Sequence, residues 1–374
     1  MIEIPVELGE RRYPIVIGHG LARLLGDVLV SEKGRRVLVV SSPKVWSRHG
    51  DTVTRGLRAL SPKGPLLFAD GERHKTRETL GRLHDGFLAA GLGRDGLVVA
   101  VGGGVVGDVA GFAAATYMRG IPWVGVPTTL LSMVDSSIGG KVGVNHPKAK
   151  NLLGAFHQPR AVVVDPAFLE TLPAREMRSG AYEVLKYGIL GDRALFHAFE
   201  SAPADLREWD RALLETAIAT SCRIKAEVVG KDEREKGLRK ILNLGHTLGH
   251  ALETVTRYRR FTHGEAVGWG LLGAATIARR KGLLKDTARD AITRAVDRLG
   301  PRPRMSDLAE KALLDAVSRD KKAEAGRVPF ILPTAIGRVT ICPSVTLADI
   351  RHALKMMAGR EAAGLSGASR QNPK

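Results

Sequence analysis

Short apolar runs spaced by helical patterns fill the first 165 residues and sharply limit what that stretch can fold into. Arg36-Val37-Leu38-Val39-Val40, Pro65-Leu66-Leu67-Phe68, Leu97-Val98-Val99-Ala100-Val101, Trp123-Val124-Gly125-Val126 and Ala161-Val162-Val163-Val164 read as strands with no polar face. A strand buried on one side alternates apolar and polar residues. A strand covered on both sides is apolar throughout, which belongs to a parallel sheet flanked by helices. Between two of these runs, Thr76 to Ala90 carries Leu80, Leu83, Phe87 and Leu88 on one side of a helix. The alternation predicts an α/β domain, Rossmann-like, with a doubly wound and mostly parallel sheet.

From Thr171 the period changes. Segments at about 174–190, 205–230, 240–256, 264–281, 287–299 and 306–318 repeat their apolar residues every 3.6 positions and predict a mostly α-helical C-terminal domain. Pro173 opens the first of them, where its missing N–H costs nothing. Two late runs, 328–332 and 338–341, flank a Pro/Gly turn and predict a hairpin. The expected organisation is an α/β domain over 1–170, a helical domain over 171–358 and a tail over 359–374, small and polar and expected to fray. No internal repeat is found.

Composition narrows the function. Cys222 and Cys342 are the only cysteines of 374 residues, too few for a disulfide framework and in keeping with a reducing cytosol. The start, Met1-Ile2-Glu3-Ile4-Pro5, lacks the basic and apolar regions of a signal peptide, and no apolar stretch reaches membrane-spanning length. The net charge of +18 is dispersed, with short basic runs such as 257–260 and 279–281 and no basic tract interleaved with aromatics. No nucleic-acid or membrane partner is expected; part of the excess suits an anionic substrate.

Two loops and one cluster carry chemistry. Leu97 to Val101 runs into Gly102-Gly103-Gly104-Val105-Val106-Gly107-Asp108. Glycines after a strand and before a helix let backbone N–H groups approach a pyrophosphate; the plainer reading is a tight turn. The stretch from Pro127 to Lys141 offers hydroxyls, Asp135, paired glycines and a lysine beyond a strand end, and Lys150 and Asn151 follow. That edge of an α/β sheet is where ligands bind, and two lysines there suit a phosphate or carboxylate. In the helical half, His246 and His250 are four residues apart and therefore share a helix face, with His263 close behind. Glu183 lies in a helix apolar almost all round, so it is buried and needs a partner. That partner is a metal shared with the histidines, or Lys186 three residues on. Catalytic zinc takes three His or carboxylate ligands and keeps one position open; spacing leaves open which histidines serve. Arg239 and Asn243 precede them, and Lys225 stands in the helix before.

Taken together these blocks resemble the 3-dehydroquinate synthase family, in order from about residue 2 to 355. The matching stretches include Asp70-Gly71-Glu72 with Lys75, 102–108, 117–120, 126–131, 134–141, Lys150-Asn151, 183–186, 225–227, 232–235, 237–239, 243–250, His263-Gly264-Glu265 and Asp320-Lys321-Lys322. The resemblance implies an NAD-dependent enzyme with zinc or cobalt that converts 3-deoxy-D-arabino-heptulosonate 7-phosphate to 3-dehydroquinate and phosphate. It implies a metal held by Glu183, His246 and His263, with His250 facing substrate. It implies substrate contacts at Asp135, Lys141, Lys150, Asn151, Lys186, Lys225, Arg239, Asn243, His250 and one of Lys321 and Lys322, of which Lys322 is favoured, and a homodimer in which Arg119 reaches the neighbouring subunit's site. NAD contacts are implied for Glu72, Lys75, Gly103, Gly104, Asp108, Thr128, Thr129, Lys141, Lys150, Phe168, Thr171, Leu172 and Glu176. The implied chemistry oxidises a ring alcohol with NAD, which a metal assists, eliminates phosphate, returns the hydride, opens the ring and closes a carbocycle by an aldol step.

Ser41-Ser42-Pro43 stands where the family often has Asp or Asn against the adenosine ribose, and Tyr182 replaces a smaller residue beside Glu183. Other sugar-phosphate cyclases and the metal-dependent alcohol or glycerol dehydrogenases share the cofactors. The combination of Arg239, Asn243 and His250 favours dehydroquinate synthase.

Overall fold

Each of the apolar runs becomes a strand. The computed structural model describes residues 1–147, 149–318 and 329–368. In chain order the elements are β1 (Ile2–Val6), β2 (Tyr13–Ile17), α1 (Leu25–Val28), β3 (Val37–Ser41), α2 (Pro43–Gly56), β4 (Lys63–Leu67), α3 (Arg77–Ala89), β5 (Leu97–Gly102), α4 (Gly104–Thr116), β6 (Trp123–Pro127), β7 (Lys141–His146), β8 (Ala149–Phe156), β9 (Val162–Val164), α5 (Ala174–Gly191), α6 (Arg193–Ser201), α7 (Arg211–Lys231), α8 (His246–Val255), α9 (His263–Arg280), α10 (Asp286–Arg298), α11 (Glu310–Ser318), β10 (Phe330–Ala335), β11 (Arg338–Cys342) and α12 (Leu347–Ala368). They fall into two compact units, Met1–Met177 with Asp210–Glu235, and Arg178–Trp209 with Lys236–Lys374.

The first unit carries a seven-stranded sheet in the order β1-β2-β9-β6-β5-β3-β4. β1 and β2 pair antiparallel; every other neighbour is parallel. β3, β5, β6 and β9 are buried at every residue, as their unbroken apolar character requires. β4 departs from that expectation. It is the sheet edge, with Leu67 43% exposed, and an edge accommodates Pro65 because one row of backbone groups has no ladder partner. The chain steps from β3 outward to β4 and then resumes at β5 on the other side of β3. That reversal opens a crevice at the carboxyl ends of β3 and β5, the usual ligand position in such sheets. α4 starts there and packs on β5 and β6, its Val109 and Ala113 in one core with Leu38, Val98, Ala100 and Trp123.

Lys141, expected at the end of a loop, opens a strand, and Lys150 and Asn151 lie on the strand that pairs with it. β7 and β8 form an antiparallel hairpin of their own, hidden from the sequence reading because its residues mix Gly, Asn, His and Lys. Lys148 lies outside the described residues. α7 packs against β1 and β2 and so belongs to the first unit, although its period and place in the chain predict a helix of the second. A 3.6-residue period announces a helix without saying which core receives its apolar face. The border between the units falls after Met177, within α5, rather than at 170.

The second unit is helical around α9, which is buried from Gly264 to Ala275. α8, α10, α12 and the β10–β11 hairpin pack on it. The segment expected to be helical from 240 is a 3-10 turn, Leu238–Asn243, and α8 begins only at His246 because Gly245 has φ +80°. α12 continues to Ala368, past the expected start of the tail at 359; small residues there include alanines, the strongest helix formers. Residues 369–374 and the expected strand start at Val328 lie outside the described residues. Among the described residues no helix is long and apolar enough to cross a membrane.

Candidate active site

Three elements of the second unit converge on one carboxylate. α5 supplies Glu183, 0% exposed. α8 supplies His246 from its first turn. α9 supplies His263 as its first residue, fixed by a capping box in which Thr262 caps the Glu265 N–H and the Glu265 carboxylate accepts from the Thr262 N–H. The Gly264 N–H, next in line, donates to Ser179 Oγ at 3.0 Å. His246 Nε2 lies 3.7 Å and His263 Nε2 3.6 Å from Glu183 Oε1. The other nitrogens point outward: His246 Nδ1 is 3.1 Å from the Leu244 carbonyl, and His263 Nδ1 is 3.5 Å from Glu253 Oε2. A carbonyl or carboxylate at Nδ1 holds the proton on that side and leaves the Nε2 lone pair to a metal. Among the described residues neither Glu183 oxygen has a formed hydrogen bond, although the Lys186 ammonium pairs with Oε2. Burying a carboxylate so is costly without strong compensation. The three donor atoms lie within 4.8 Å of one another. One carboxylate and two imidazoles, each turned by its own partner, fit a divalent cation of the zinc or cobalt type.

His250 is one turn along α8 from His246, ring centroids 5.4 Å apart, and its ring is 6.1 Å from that of His263. Arg239 is buried and Asn243 donates from Nδ2 to the Lys240 carbonyl at 3.1 Å. Lys186 is buried, 4.7 Å over the Tyr187 ring.

In the first unit the crevice is lined by Gly103, Gly104, Asp108, Ser132, Ser136 and Lys141. A Cβ at Gly104 would meet Ser136 Oγ at 2.8 Å and one at Gly103 would meet Thr129 Cγ2 at 3.1 Å, so these glycines let the β5 and β6 turns close up beside the N-terminus of α4. The Lys75 ammonium pairs with Asp108 and with Asn151 Oδ1. Burial pushes the Asp108 carboxyl above the usual carboxylate range, and Lys75 pulls it back only in part. Asn145 joins them: its Nδ2 donates to Glu72 Oε1 at 2.8 Å and its Oδ1 accepts from the Asn151 N–H at 2.9 Å. Lys150 lies 3.7 Å from Glu72. Nearby in the same unit, Lys225 of α7 donates to both the carboxylate and the carbonyl of Asp135, each at 2.7 Å. Asp135 sits in a π-helical turn, Ser132–Ser136, a local distortion common at functional sites. Lys141 pairs with Glu235.

Comparison with known proteins places this geometry. A model described as 3-dehydroquinate synthase N-terminal matches residues 65–179, and one described as 3-dehydroquinate synthase C-terminal matches 180–323. A 3-dehydroquinate synthase of Pelotomaculum thermopropionicum is 48% identical over 344 residues, covering 91% of this chain and 93% of its own. The chain belongs to the 3-dehydroquinate synthase family. Solved structures agree in fold: a 2-epi-5-epi-valiolone synthase of Streptomyces hygroscopicus with NAD+ and Zn2+ bound (28% identity, TM-score 0.86, 96% of this chain and 99% of that one) and a 2-deoxy-scyllo-inosose synthase complexed with carbaglucose-6-phosphate, NAD+ and Co2+ (26% identity, TM-score 0.86, 95% and 99%).

Against the expectations for this family, the structure gathers Glu183, His246 and His263 into one donor set and Glu72, Lys75, Asp108, Lys150 and Asn151 into another group. Phe168 and Thr171 meet His49, whose Nε2 is 2.9 Å from Thr171 Oγ1 and whose ring stands edge-on to Phe168 at 4.8 Å. Ser42 is fully buried and its hydroxyl caps α2 through the Val45 N–H, so it serves the fold. Arg119 is exposed, with φ +69°, at the opposite end of α4 from Gly104, roughly 20 Å away at 1.5 Å per residue. Lys322 lies outside the described residues. Sequence reasoning gave no role to Asn145, Glu235, His49 or Glu253. Glu253 was discoverable: it follows His246 by seven residues and His250 by three, on the same helix face.

Proposed function

We propose that this chain converts 3-deoxy-D-arabino-heptulosonate 7-phosphate to 3-dehydroquinate and phosphate. The Glu183–His246–His263 donor set carries the reading, in a family member that also holds a Lys75–Asp108–Asn151 network beside a glycine turn. Bound NAD supplies a reversible hydride acceptor and the divalent ion polarises the alcohol to be oxidised. The chain's own residues do the rest. Glu183, fully buried, is the ligand that would balance charge at the ion. The β5–α4 turn offers N–H groups of Gly103 and Gly104 to the pyrophosphate. Glu72, Lys75, Asp108, Thr128, Thr129, Phe168, Thr171, Leu172 and Glu176 hold the dinucleotide. Lys141, Lys150, Asn151, Lys186, Lys225, Arg239, Asn243 and His250 bind the carboxylate, hydroxyls and phosphate of the substrate, with Lys322 among them, and Asp135 accepts a hydrogen bond from a hydroxyl. With phosphate so bound, its own oxygens would take the proton that elimination releases. We also propose a homodimer in which Arg119 completes the neighbouring site, and a cytosolic location, in keeping with two free, buried cysteines.

One assay tests the reaction. Purified protein given the heptulosonate phosphate, NAD and Zn2+ or Co2+ is expected to release phosphate and dehydroquinate in equal amounts with no net NADH. Absence of phosphate release from protein shown to bind metal and NAD would refute it. Turnover of a hexose phosphate or another heptulose phosphate instead would point to a different sugar-phosphate cyclase, and accumulation of NADH to a dehydrogenase.

A further inference from the structure

We propose that Glu253 is a positioning residue for the metal centre, acting through His263. The inference rests on the metal site above. Glu253 is 5% exposed and lies in the last turn of α8, where the helix dipole presents its negative end. A carboxylate there is opposed twice, by lost hydration and by the dipole. A positive or proton-donating partner must offset both. The structure supplies His263, whose Nδ1 stands 3.5 Å from Glu253 Oε2 while its Nε2 faces Glu183. His250 is also within reach: the donor atoms of His250, Glu253 and His263 lie within 4.8 Å of one another.

A carboxylate at Nδ1 fixes the tautomer, sets the ring plane and makes Nε2 a better donor. His246 receives the same service from a neutral backbone carbonyl, Leu244. The two imidazole ligands are therefore not equivalent. His263 is the one strengthened by a full negative charge, and it is the more exposed, its side chain 27% accessible against 8% for His246. The less enclosed ligand carries the stronger support. His246, His250 and Glu253 share one face of α8 at intervals of four and three, so a single helix carries a metal ligand, a substrate-facing histidine and the support for a ligand on its neighbour.

The test reads metal affinity without substrate. Glu253→Gln keeps the size and an acceptor oxygen but removes the charge. Zn2+ affinity, measured by chelator competition, is expected to fall by about 10- to 100-fold, and the visible absorption of the Co2+ form to shift. NAD affinity, which depends on the other unit, is expected to stay at the wild-type value and reports that the chain is folded. A double-mutant cycle assigns the route: in a His263→Ala background, Glu253→Gln is expected to cost no further affinity. Wild-type Zn2+ affinity and an unchanged Co2+ spectrum in E253Q would overturn the proposal, and so would losses that add in the double variant. Because no substrate is present, a failure of turnover counts against the proposed reaction and leaves this measurement standing.

Discussion

On α8 the imidazoles of His246 and His250 lie 5.4 Å apart, yet only His246 brings a nitrogen near Glu183. Spacing made them look like a pair of ligands; the backbone turn at Gly245 and the carbonyl of Leu244 separate their roles. His246→Ala is therefore expected to abolish metal binding, whereas His250→Ala retains the metal and loses turnover, as equilibrium dialysis and phosphate release would show. Equal metal loss in both would refute the split. The residue types of this centre were legible in the sequence: three close histidines and a glutamate in an apolar helix. The orientation of each ring was not, because it depends on Nδ1 partners supplied by a carbonyl and by Glu253. Tyr182 shows the same limit. It was visible as a bulky residue beside Glu183, but its hydroxyl contacts, Arg302 and the Gly300 carbonyl, come from far along the chain. So does the space it needs at Gly268, where a Cβ would lie 2.7 Å from its ring.

Between elements, the histidines meet because α8 and α9 approach backbone to backbone. A Cβ on Gly270 would lie 1.8 Å from the Gly245 carbonyl oxygen, and one on Gly249 would lie 3.1 Å from that of Ala266. No side chain can yield there, so the helices themselves would have to separate. Gly270→Ala is expected to cost at least the upper end of the range for overpacking, about 3 kcal/mol, and to weaken Zn2+ binding together with stability, because Gly245 precedes His246 directly. Denaturant unfolding and a zinc titration on the same variant check both; a normal zinc affinity in a destabilised variant would show that the crossing does not set the site. The helices were legible as periodic segments, and their glycines as breaks. That those glycines are contact points was not, since a glycine in a helix reads as a weakness until its neighbour is known.

At the scale of the molecule the proposed cofactors are sorted by unit, the dinucleotide residues in one and the metal donors in the other. Each ligand stabilises the state that binds it by mass action. Hydrogen exchange is therefore expected to slow in β5, α4 and the β7–β8 hairpin on adding NAD, and in α8 and the start of α9 on adding Zn2+. Uniform protection by either ligand, or the reverse assignment, would contradict the sorting. The α/β and helical halves were legible from their periods, because burial on two faces and burial on one stripe leave different patterns. The membership of α7 was not: it follows two helical segments of the second unit in sequence and yet buries Cys222, Ala226 and Val229 in the first.

That excursion has a consequence for synthesis. The chain passes from the first unit to the second after Met177, back at Asp210 and out again after Glu235. As the polypeptide leaves the ribosome, the seven strands of the sheet are all available by Val164, but the helix that closes over β1 and supplies Lys225 to Asp135 emerges only after Arg178–Trp209. The first unit therefore cannot finish folding before part of the second has been made. A fragment ending at Met177 would leave β1 and the Asp135 turn uncovered, so the two halves cannot be produced as separate working pieces by one cut in the gene.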